Sequence, residues 1–208
     1  MNTDQSRASD IELVQLVRAG DRIAFSRLME RHQRHVYRIV RHITGNHDDA
    51  DEVSQETFVR AYLGLGDFRN DSTFSTWLYR ISVNLSLNAI RRKQIMAYLR
   101  ESELLSRFLP KADTGHRPAE ERRANGLDAA LAGLPEKQRL VFVLRYLEGL
   151  PYEEISEILK TSVGGLRASY SHAVRKISEY AEQRASGHSM GPGGETGGRS
   201  SEVSHLPD

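Results

Sequence analysis

The most constraining feature of the sequence is a stripe of mainly apolar residues that recurs every three or four positions between residues 24 and 43. Its members are Ala24, Phe25, Leu28, His32, Val36, Ile39, Val40 and Ile43. An α-helix turns once every 3.6 residues, so these side chains share one face. Asp21 before the stripe is a suitable N-cap, and Gly45 after it is a typical helix end. The stripe therefore predicts a long helix with one buried face.

Helical spacing continues along the chain, and no segment alternates in the manner of a β-strand. Ser9 and Glu12 are spaced as a capping box at the start of a short first helix, which Gly20 ends. Further helices are predicted over residues 47–65, 72–93 and 119–133, and three more open at Pro135, at Pro151 and after the turn 160–163. The predicted apolar stripe of helix 72–93 is Phe74, Leu78, Ile81 and Leu85. The sequence predicts an all-α fold.

Composition divides the chain into two small helical domains. Residues 9–94 form the first, and residues 95–117 follow as a flexible linker, indicated by the segment from Pro110 to Pro118. Residues 118–183 form the second domain. Residues 184–208 are rich in glycine and too poor in apolar residues to build a core, so we expect a disordered tail.

Composition also limits the classes of function. The 208 residues include no cysteine, which excludes disulfides and cysteine-ligated metals. We find no signal-peptide pattern and no apolar run long enough to span a bilayer, so we expect a cytoplasmic protein without membrane insertion. Nothing resembles a glycine-rich phosphate loop, a Ser/His/Asp set or a catalytic carboxylate pair. We expect no cofactor, no metal and no enzymatic activity.

Residues 48–93 are acidic at their start and basic at their end. The predicted third helix begins with Asp48, Asp49, Asp51 and Glu52, and the predicted fourth helix ends with Arg91, Arg92 and Lys93. Acids in a first turn usually do no more than stabilise the helix dipole. The alternative interpretation is that the acidic start binds a protein and the basic end binds nucleic acid.

The predicted fourth helix and the loop before it carry side chains suited to nucleic acid. Trp77, Arg80, Asn84, Asn88 and Arg91 recur every three or four residues and share one side of the helix. Stacking, base-edge hydrogen bonds and phosphate neutralisation are the contacts that such residues make. The preceding loop is able to hold an unstacked base with Phe68, Asn70, Ser72 and Thr73. The competing interpretation places Trp77 and Phe74 in the core and leaves the asparagines merely exposed. The pattern favours it for Phe74, and the two interpretations are even for Asn84, Asn88 and the basic residues 91–93.

Residues 151–176 have the pattern of a helix-turn-helix, in which two short helices are joined by a tight turn. The second helix offers cations, hydroxyls and an imidazole for phosphates and base edges, namely Arg167, Ser169, Tyr170, His172, Arg175 and Lys176. A helical hairpin with a solvated cationic face would show the same spacing, so the pattern favours DNA binding only modestly.

Several segments together resemble one family. They are Ala24-Phe25, Asp49-Ala50-Asp51-Glu52-Val53, Gln55-Glu56-Thr57-Phe58, Phe74-Ser75-Thr76-Trp77-Leu78-Tyr79-Arg80-Ile81 with Asn84, Leu134-Pro135-Glu136-Lys137-Gln138-Arg139, and Glu148-Gly149-Leu150-Pro151-Tyr152-Glu153-Glu154-Ile155. In this order they resemble the extracytoplasmic-function (ECF) group of bacterial RNA polymerase sigma factors. The resemblance covers about residues 9–181.

The resemblance implies that the two domains are sigma regions 2 and 4, that the partners are core RNA polymerase and promoter DNA, and that an anti-sigma factor controls the protein. It implies core polymerase binding by Asp49, Asp51, Glu52, Gln55, Glu56 and Phe58. It implies recognition and melting of the −10 element by Phe68, Asn70, Ser72, Thr73, Trp77, Arg80, Asn84, Asn88, Arg91 and Arg92. It implies −35 recognition by Ser162, Arg167, Ser169, Tyr170, His172, Arg175 and Lys176.

The chain departs from the family pattern in three places: at Asn88, in the segment 164–170, and in the glycine-rich tail after Ser186, which extends beyond the resemblance. Asn88 stands where the family commonly has aspartate, Ser169 stands where it commonly has arginine, and Gly165 weakens the start of the last helix. The promoter sequence therefore does not follow from the resemblance. Two other hypotheses remain: a free-standing helix-turn-helix regulator that acts without polymerase, and an all-helical adaptor whose basic faces are solvated.

Overall fold

The computed structural model describes residues 8–101 and 126–188. Most of the predicted linker, the first part of the helix predicted over 119–133 and the glycine-rich tail after residue 188 lie outside the described residues. Both described ranges are helical and neither contains a strand, which confirms the all-α prediction. The helices are α1 Asp10–Arg18, α2 Arg22–Thr44, α3 His47–Gly64, α4 Phe74–Glu101, α5 Gly126–Ala132, α6 Glu136–Phe142, α7 Tyr152–Leu159 and α8 Val163–His188.

The predicted ends of the first helices are confirmed. Ser9 and Glu12 form the capping box, with Glu12 N donating to Ser9 Oγ at 3.3 Å and Ser9 N donating to the Glu12 carboxylate at 2.6 Å. Asp21 caps α2 by accepting from Ile23 N at 2.8 Å. Gly45 ends α2 at φ 82°, a left-handed conformation that costs glycine little.

Helices α1 to α4 pack around the stripe of α2. Leu28, Val36, Ile39 and Ile43 are fully buried, together with Leu13 and Val14 of α1, Ala50 and Val53 of α3, and Phe74 and Leu78 of α4. His32, the polar member of the stripe, is buried because its ring meets a carboxylate: Nε2 lies 2.7 Å from Asp10 Oδ2. Arg31 holds the other oxygen, so Asp10 ties α1 to α2.

Helix α4 differs from its prediction in length and in its buried face. It continues to Glu101, through the first residues of the predicted linker. Ile81 and Leu85 are only half-buried, whereas Ser82, Val83 and Ser86 are buried instead. The predicted stripe does pack on the core, with Phe74 and Leu78 buried and Ile81 and Leu85 at its edge, but α4 buries further residues because it packs against α2, α3 and α7.

Helices α5 to α8 form the second unit, and a widened turn lies within it. After Phe142, residues Val143–Leu147 form a π-helix, closed by a bond from Glu148 N to Val143 O at 3.1 Å. Leu131, Phe142 and Ala173 are buried together in a core of this unit. Lys160, in the left-handed region at φ 51°, makes the sharp turn between α7 and α8. No helix in either described range is long and apolar enough to cross a lipid bilayer.

The Asp10 contacts lead to a stability prediction. Burial raises the pKa of Asp10, but hydrogen bonds and charge from His32 and Arg31 outweigh burial and leave that pKa below its ordinary value. The carboxylate therefore stabilises the fold above pH 3.8, its ordinary pKa, and this contribution is lost as pH falls through the lowered value. We expect Asp10→Asn to lower the free energy of unfolding at pH 7 by about 1–3 kcal/mol.

Urea denaturation at pH 7 and at pH values below 4 measures this effect. The difference between the wild type and Asp10→Asn should shrink as the pH falls through the lowered pKa of Asp10, because the wild-type carboxyl then becomes neutral too. Glu30→Gln, at an exposed position of α2, is the matched control and should change stability little. Equal losses in the two variants would contradict the role given to Asp10.

Candidate protein and nucleic-acid interfaces

An apolar groove runs between α2 and α3, with a cavity volume of about 710 Å³. Phe25, Met29 and Tyr37 line it from α2. Its α3 wall is apolar and exposed at Val59 and Leu63, whose exposed fractions are 57% and 74%. Large apolar side chains that remain this exposed beside a groove are typical of protein-binding surfaces.

The acidic residues of α3 divide into two groups. Asp51, Glu52 and Gln55 are exposed, and Asp51 and Gln55 also line the rim of the groove. Asp49 instead completes the helix start, where Asn46 Nδ2 donates to its Oδ2 at 2.6 Å, and Glu56 pairs with Arg60 at 3.0 Å. Asp51 and Glu52 present carboxylates to solvent, and Glu52 also makes a surface pair with Arg92 at 3.8 Å.

Phe58, a predicted polymerase contact, is 6% exposed and lies in the lining of the groove. Sequence reasoning missed the neighbours that reach solvent, Val59, Tyr62 and Leu63. The signal was present, because the pairs Phe58-Val59 and Tyr62-Leu63 put apolar residues on a second face of α3, beside the inward face.

The basic end of α4 lies against the acidic start of α3. Lys93 Nζ is 2.6 Å from Asp49 Oδ2, and Arg92 is 3.8 Å from Glu52. Both cations are more than half exposed, so each contact is a weak surface pair. Arg91 is exposed too. The predicted protein-binding and DNA-binding surfaces therefore adjoin across α3 and α4.

Contacts with buried residues hold the loop between α3 and α4 in place. Phe68, predicted to contact DNA, is 4% exposed and packs 5.1 Å from the Trp77 ring. Arg18 of α1 donates to the carbonyls of Leu65 and Phe68, which fixes the start of the loop. Asn70 is exposed and takes a left-handed conformation at φ 60°.

Ser72 and Thr73 lie where the loop meets α4. Thr73 caps the helix, because its Oγ1 accepts from Thr76 N at 3.1 Å and its carbonyl accepts from Trp77 N at 3.1 Å. Ser72 is half-buried and donates weakly to the Thr73 carbonyl at 3.4 Å. Both hydroxyls are therefore partly committed to the loop itself.

A cavity of about 420 Å³ opens beside this loop. Phe68, Ser72, Trp77 and Arg80 line it, and so do Glu157 and Lys160 at the end of α7. Arg80 Nε is buried without a hydrogen-bond partner among the described residues. The guanidinium of Arg80, which is half-buried beside the aromatic rings, adds positive charge to the lining of this cavity.

Asn84 and Asn88 line a second cleft, between α3 and α4. Both are exposed, and Trp77 of α4 and Arg60 of α3 line the same cleft. The structure thus brings the two carboxamides, the indole and a guanidinium together, and the face predicted from helical spacing is present.

The turn of the helix-turn-helix is held by Ser162. Its Oγ accepts from Gly165 N at 3.3 Å, which makes Ser162 the cap of α8. A Cβ on Gly165 would lie 3.3 Å from this Oγ and 3.4 Å from Thr161 Cγ2. Glycine at 165 therefore permits the tight turn.

The predicted −35 residues of α8 fall into two sets. Arg167, His172 and Arg175 are exposed, and Lys176 is half-exposed. Ser169 Oγ donates to the Gly165 carbonyl at 2.8 Å, and Tyr170 stacks on Phe142 at 6.1 Å. The first set presents a cationic face, whereas the second set contributes to the packing of the helix.

Two family models match the chain, one over the α1–α4 unit and the next over the α5–α8 unit. Sigma-70 region 2 matches residues 28–95, and Sigma-70 region 4 matches residues 124–177. The ECF RNA polymerase sigma-E factor of Haemophilus influenzae is 36% identical over 81% of this chain and 93% of its own length. The ECF RNA polymerase sigma factor SigW of Bacillus subtilis is 32% identical over 74% of this chain and 87% of its own.

The chain belongs to the ECF group of RNA polymerase sigma factors. As a sigma factor it binds core RNA polymerase and directs sequence-specific initiation at promoters. Its α1–α4 unit contains region 2, and its α5–α8 unit contains region 4. The hypothesis of a free-standing helix-turn-helix regulator is not favoured, because that class needs no region 2.

Solved structures of sigma factors share this fold. The chain aligns with CnrH, solved in complex with the cytosolic domain of CnrY, at a TM-score of 0.62, with 27% identity over 82% of this chain and 96% of that one. It aligns with RpoE of Bartonella quintana, solved with the anti-sigma factor NepR, at a TM-score of 0.61 over 76% of this chain and 96% of that one. The latter match, at 20% identity, is a likeness of fold.

Proposed function

We propose that this sigma factor binds polymerase and promoter DNA through three separate surfaces. The α2–α3 groove and the exposed acids of α3 bind core polymerase, the loop cavity and α4 recognise and open the −10 element, and α8 reads the −35 element. The observation that carries the proposal is the arrangement of region 2, where the apolar groove and the Trp77–Asn88 face lie on opposite sides of α3. One small unit can then hold polymerase and DNA together.

Run-off transcription with core polymerase tests the whole proposal. The chain added to core should give a promoter-dependent transcript, and the chain alone should give none, because we propose that it has no enzymatic activity of its own. The sigma factor should also co-elute with core. Absence of both the transcript and co-elution on every candidate promoter would end the proposal.

The polymerase dock combines an apolar groove with an acidic rim. Val59, Tyr62 and Leu63 provide contact area, and Asp51, Glu52 and Gln55 provide charge and hydrogen bonds. Asp49, Glu56 and Phe58 support the surface through the helix cap, the Arg60 pair and the lining of the groove. Such an apolar centre with a polar rim is the usual anatomy of a protein interface.

Leu63 offers a test of the dock. It is 74% exposed, so Leu63→Asp should leave the isolated fold stable while weakening core binding by at least about tenfold, as loss of an interface anchor does. Ile23→Asp is the matched control, since Ile23 is 62% exposed on α2 and lies outside the groove. Binding of each variant to core, measured by competition with labelled wild type, gives the comparison. Similar losses for both would place the dock elsewhere.

We propose that the −10 element is read at two neighbouring places. The loop, with Asn70, Ser72 and Thr73 around the Phe68–Trp77 stack, receives an unstacked base, and Arg80 completes the cavity. Asn84 and Asn88 then read base edges along the helix, with Arg91 and Arg92 on the phosphates. A carboxamide both donates and accepts hydrogen bonds, as the recognition of adenine requires. Asn88 therefore gives a base preference different from that of the aspartate common in the family.

We propose that Ser162, Arg167, His172, Arg175 and Lys176 face the −35 element. Ser169 and Tyr170 position α8 and do not contact DNA themselves. The Ser169 hydroxyl hydrogen-bonds within the helix, and the Tyr170 ring packs on Phe142. Arg167 lies over the Tyr152 ring, with Cζ 5.5 Å from the centroid, a cation–π contact that orients it at the start of α8.

Arg175 and Lys176 offer a test of −35 binding. If they contact phosphates, replacing either with alanine should weaken holoenzyme binding to all promoters alike and reduce the slope of log K against log salt by about one. Lys137→Ala, at an exposed position of α6, is the matched control and should keep the wild-type slope. A full slope in both alanine variants would put these cations on the solvent side of the complex.

We also propose a cytoplasmic location and control by an anti-sigma factor. The location follows from the function, since core polymerase and the genome share that compartment. The control is supported by the two structural neighbours, one solved with the cytosolic domain of CnrY and the other with NepR.

A further inference from the structure

The face of α4 that carries Asn84 and Asn88 continues to the end of the helix. Arg91, Ile95 and Tyr98 follow the two carboxamides at the same spacing of three or four residues, so all five side chains lie on one side of α4. The match to Sigma-70 region 2 stops at residue 95, whereas α4 continues to residue 101. The last turns of the helix therefore extend the −10 face beyond the part of the chain that region 2 explains.

These last turns hold large apolar side chains in solvent. Residues 91–98 are all exposed, and the exposed fractions of Ile95, Met96 and Tyr98 are 59%, 46% and 73%. Single exposed apolar residues are ordinary, but a group of three within four residues is typical of a binding surface. The end of α4 therefore has the character of a contact site.

The charge around this group indicates what the site binds. From residue 72 to residue 100 the chain contains no Asp or Glu, and Arg91, Arg92 and Lys93 directly precede Ile95. Arg92 and Lys93 pair with the acids of α3, whereas Arg91 lies on the same face as the carboxamides and is exposed. A face without negative charge, continuous with the one proposed to read the −10 element, complements DNA.

Isoleucine and tyrosine side chains have defined contacts in duplex DNA. Apolar groups pack against the C5 methyl group of thymine, which the major groove exposes. The hydroxyl of Tyr98 can also donate to a phosphate oxygen and fix the register of the helix. Ile95 and Tyr98 together can therefore distinguish A·T from G·C pairs through the thymine methyl groups.

The position of the contact follows from the length of the helix. Between Asn88 and Tyr98 an α-helix rises about 15 Å, which corresponds to about four base-pair steps of 3.4 Å. After α4 the chain leads to region 4, which we propose binds the −35 element upstream. We therefore expect the end of α4 to point upstream, into the duplex that separates the two elements.

These observations lead to one inference, which rests on the proposed function of α4. We propose that Ile95 and Tyr98 form an additional DNA-reading site, which contacts thymine methyl groups of the duplex about four base pairs upstream of the base that Asn88 reads. Arg91 lies between the two sites and neutralises the intervening phosphates. Promoters of this sigma factor then carry a preference for A·T pairs directly upstream of the −10 element.

Two DNA fragments of different length test the position of the site. Both carry the −10 element of a promoter found by run-off transcription and lack the −35 element. The longer fragment continues upstream as ten A·T base pairs, and the shorter one ends at the −10 element. Binding of the holoenzyme is measured by fluorescence anisotropy. Ile95→Ser and Tyr98→Ser should each weaken binding to the longer fragment on the order of fourfold and leave binding to the shorter one unchanged.

Replacement of thymine by uracil in the longer fragment tests the chemistry, because it removes only the C5 methyl groups. The wild-type holoenzyme should lose about fourfold in affinity for each methyl group that it contacts. Ile95→Ser should lose less, because its contact with a methyl group is already absent. This cycle couples one side chain to one base substituent.

Ile23→Ser is the matched control, since Ile23 is a similarly exposed isoleucine of region 2, 62% exposed on α2. It should bind all fragments as the wild type does. Ile95→Ser and Tyr98→Ser should keep wild-type affinity for core polymerase, measured by competition with labelled wild type. Their thermal unfolding should also match the wild type, because neither side chain is buried.

The alternative partners of this surface give different results. Equal weakening on both fragments, or weaker binding to core, would make the end of α4 a polymerase contact and overturn the DNA site. A lower unfolding temperature of the free variants would place the patch against other residues of the chain, with the same consequence. Equal uracil sensitivity in the wild type and in Ile95→Ser would overturn the methyl contact. A wild-type holoenzyme that neither binds the longer fragment nor transcribes would instead reject the proposed function itself.

Discussion

The packing of α4 on three sides is the constraint on which the rest of the structure depends. This helix meets α2 and α3 of its own region and α7 of the other. Its small polar residues are therefore buried and bond locally, with Ser82 Oγ donating to the Tyr79 carbonyl and Ser86 Oγ to the Ser82 carbonyl. Buried hydroxyls satisfied in this way allow close packing of neighbouring helices without leaving polar groups unpaired.

The packing of α7 on α4 leaves the two proposed DNA-binding surfaces unequally exposed. In region 2, Trp77 is half-buried and the loop cavity shares its wall with Glu157 and Lys160. In region 4, Arg167, His172 and Arg175 of α8 remain exposed. Region 4 therefore forms part of the wall of the loop cavity, whereas Asn84 and Asn88 of region 2 and the cations of α8 stay exposed.

Two sets of ion pairs differ in the same way in how exposed they are. The cations of α2 meet Glu148 and Asp128 of region 4, and the cations at the end of α4 meet the acids at the start of α3. The first set contains buried carboxylates and holds the regions together, whereas the cations of the second set are more than half exposed. Polymerase or DNA that binds at these residues would compete with ion pairs of very different strength.

The sequence by itself determined the helices, their caps and the family, because these depend on local periodicity and on short segments in order. The stripe of α2, the Ser9–Glu12 box and the common face of Trp77, Asn84 and Asn88 were all predictable for that reason. Only the tertiary structure decided which residues of α4 are buried, that Phe68 and Tyr170 pack inward, and that Val59 and Leu63 stay exposed. Those outcomes depend on contacts between helices distant in sequence, as does the meeting of Glu148 with Arg38, for which no local pattern exists.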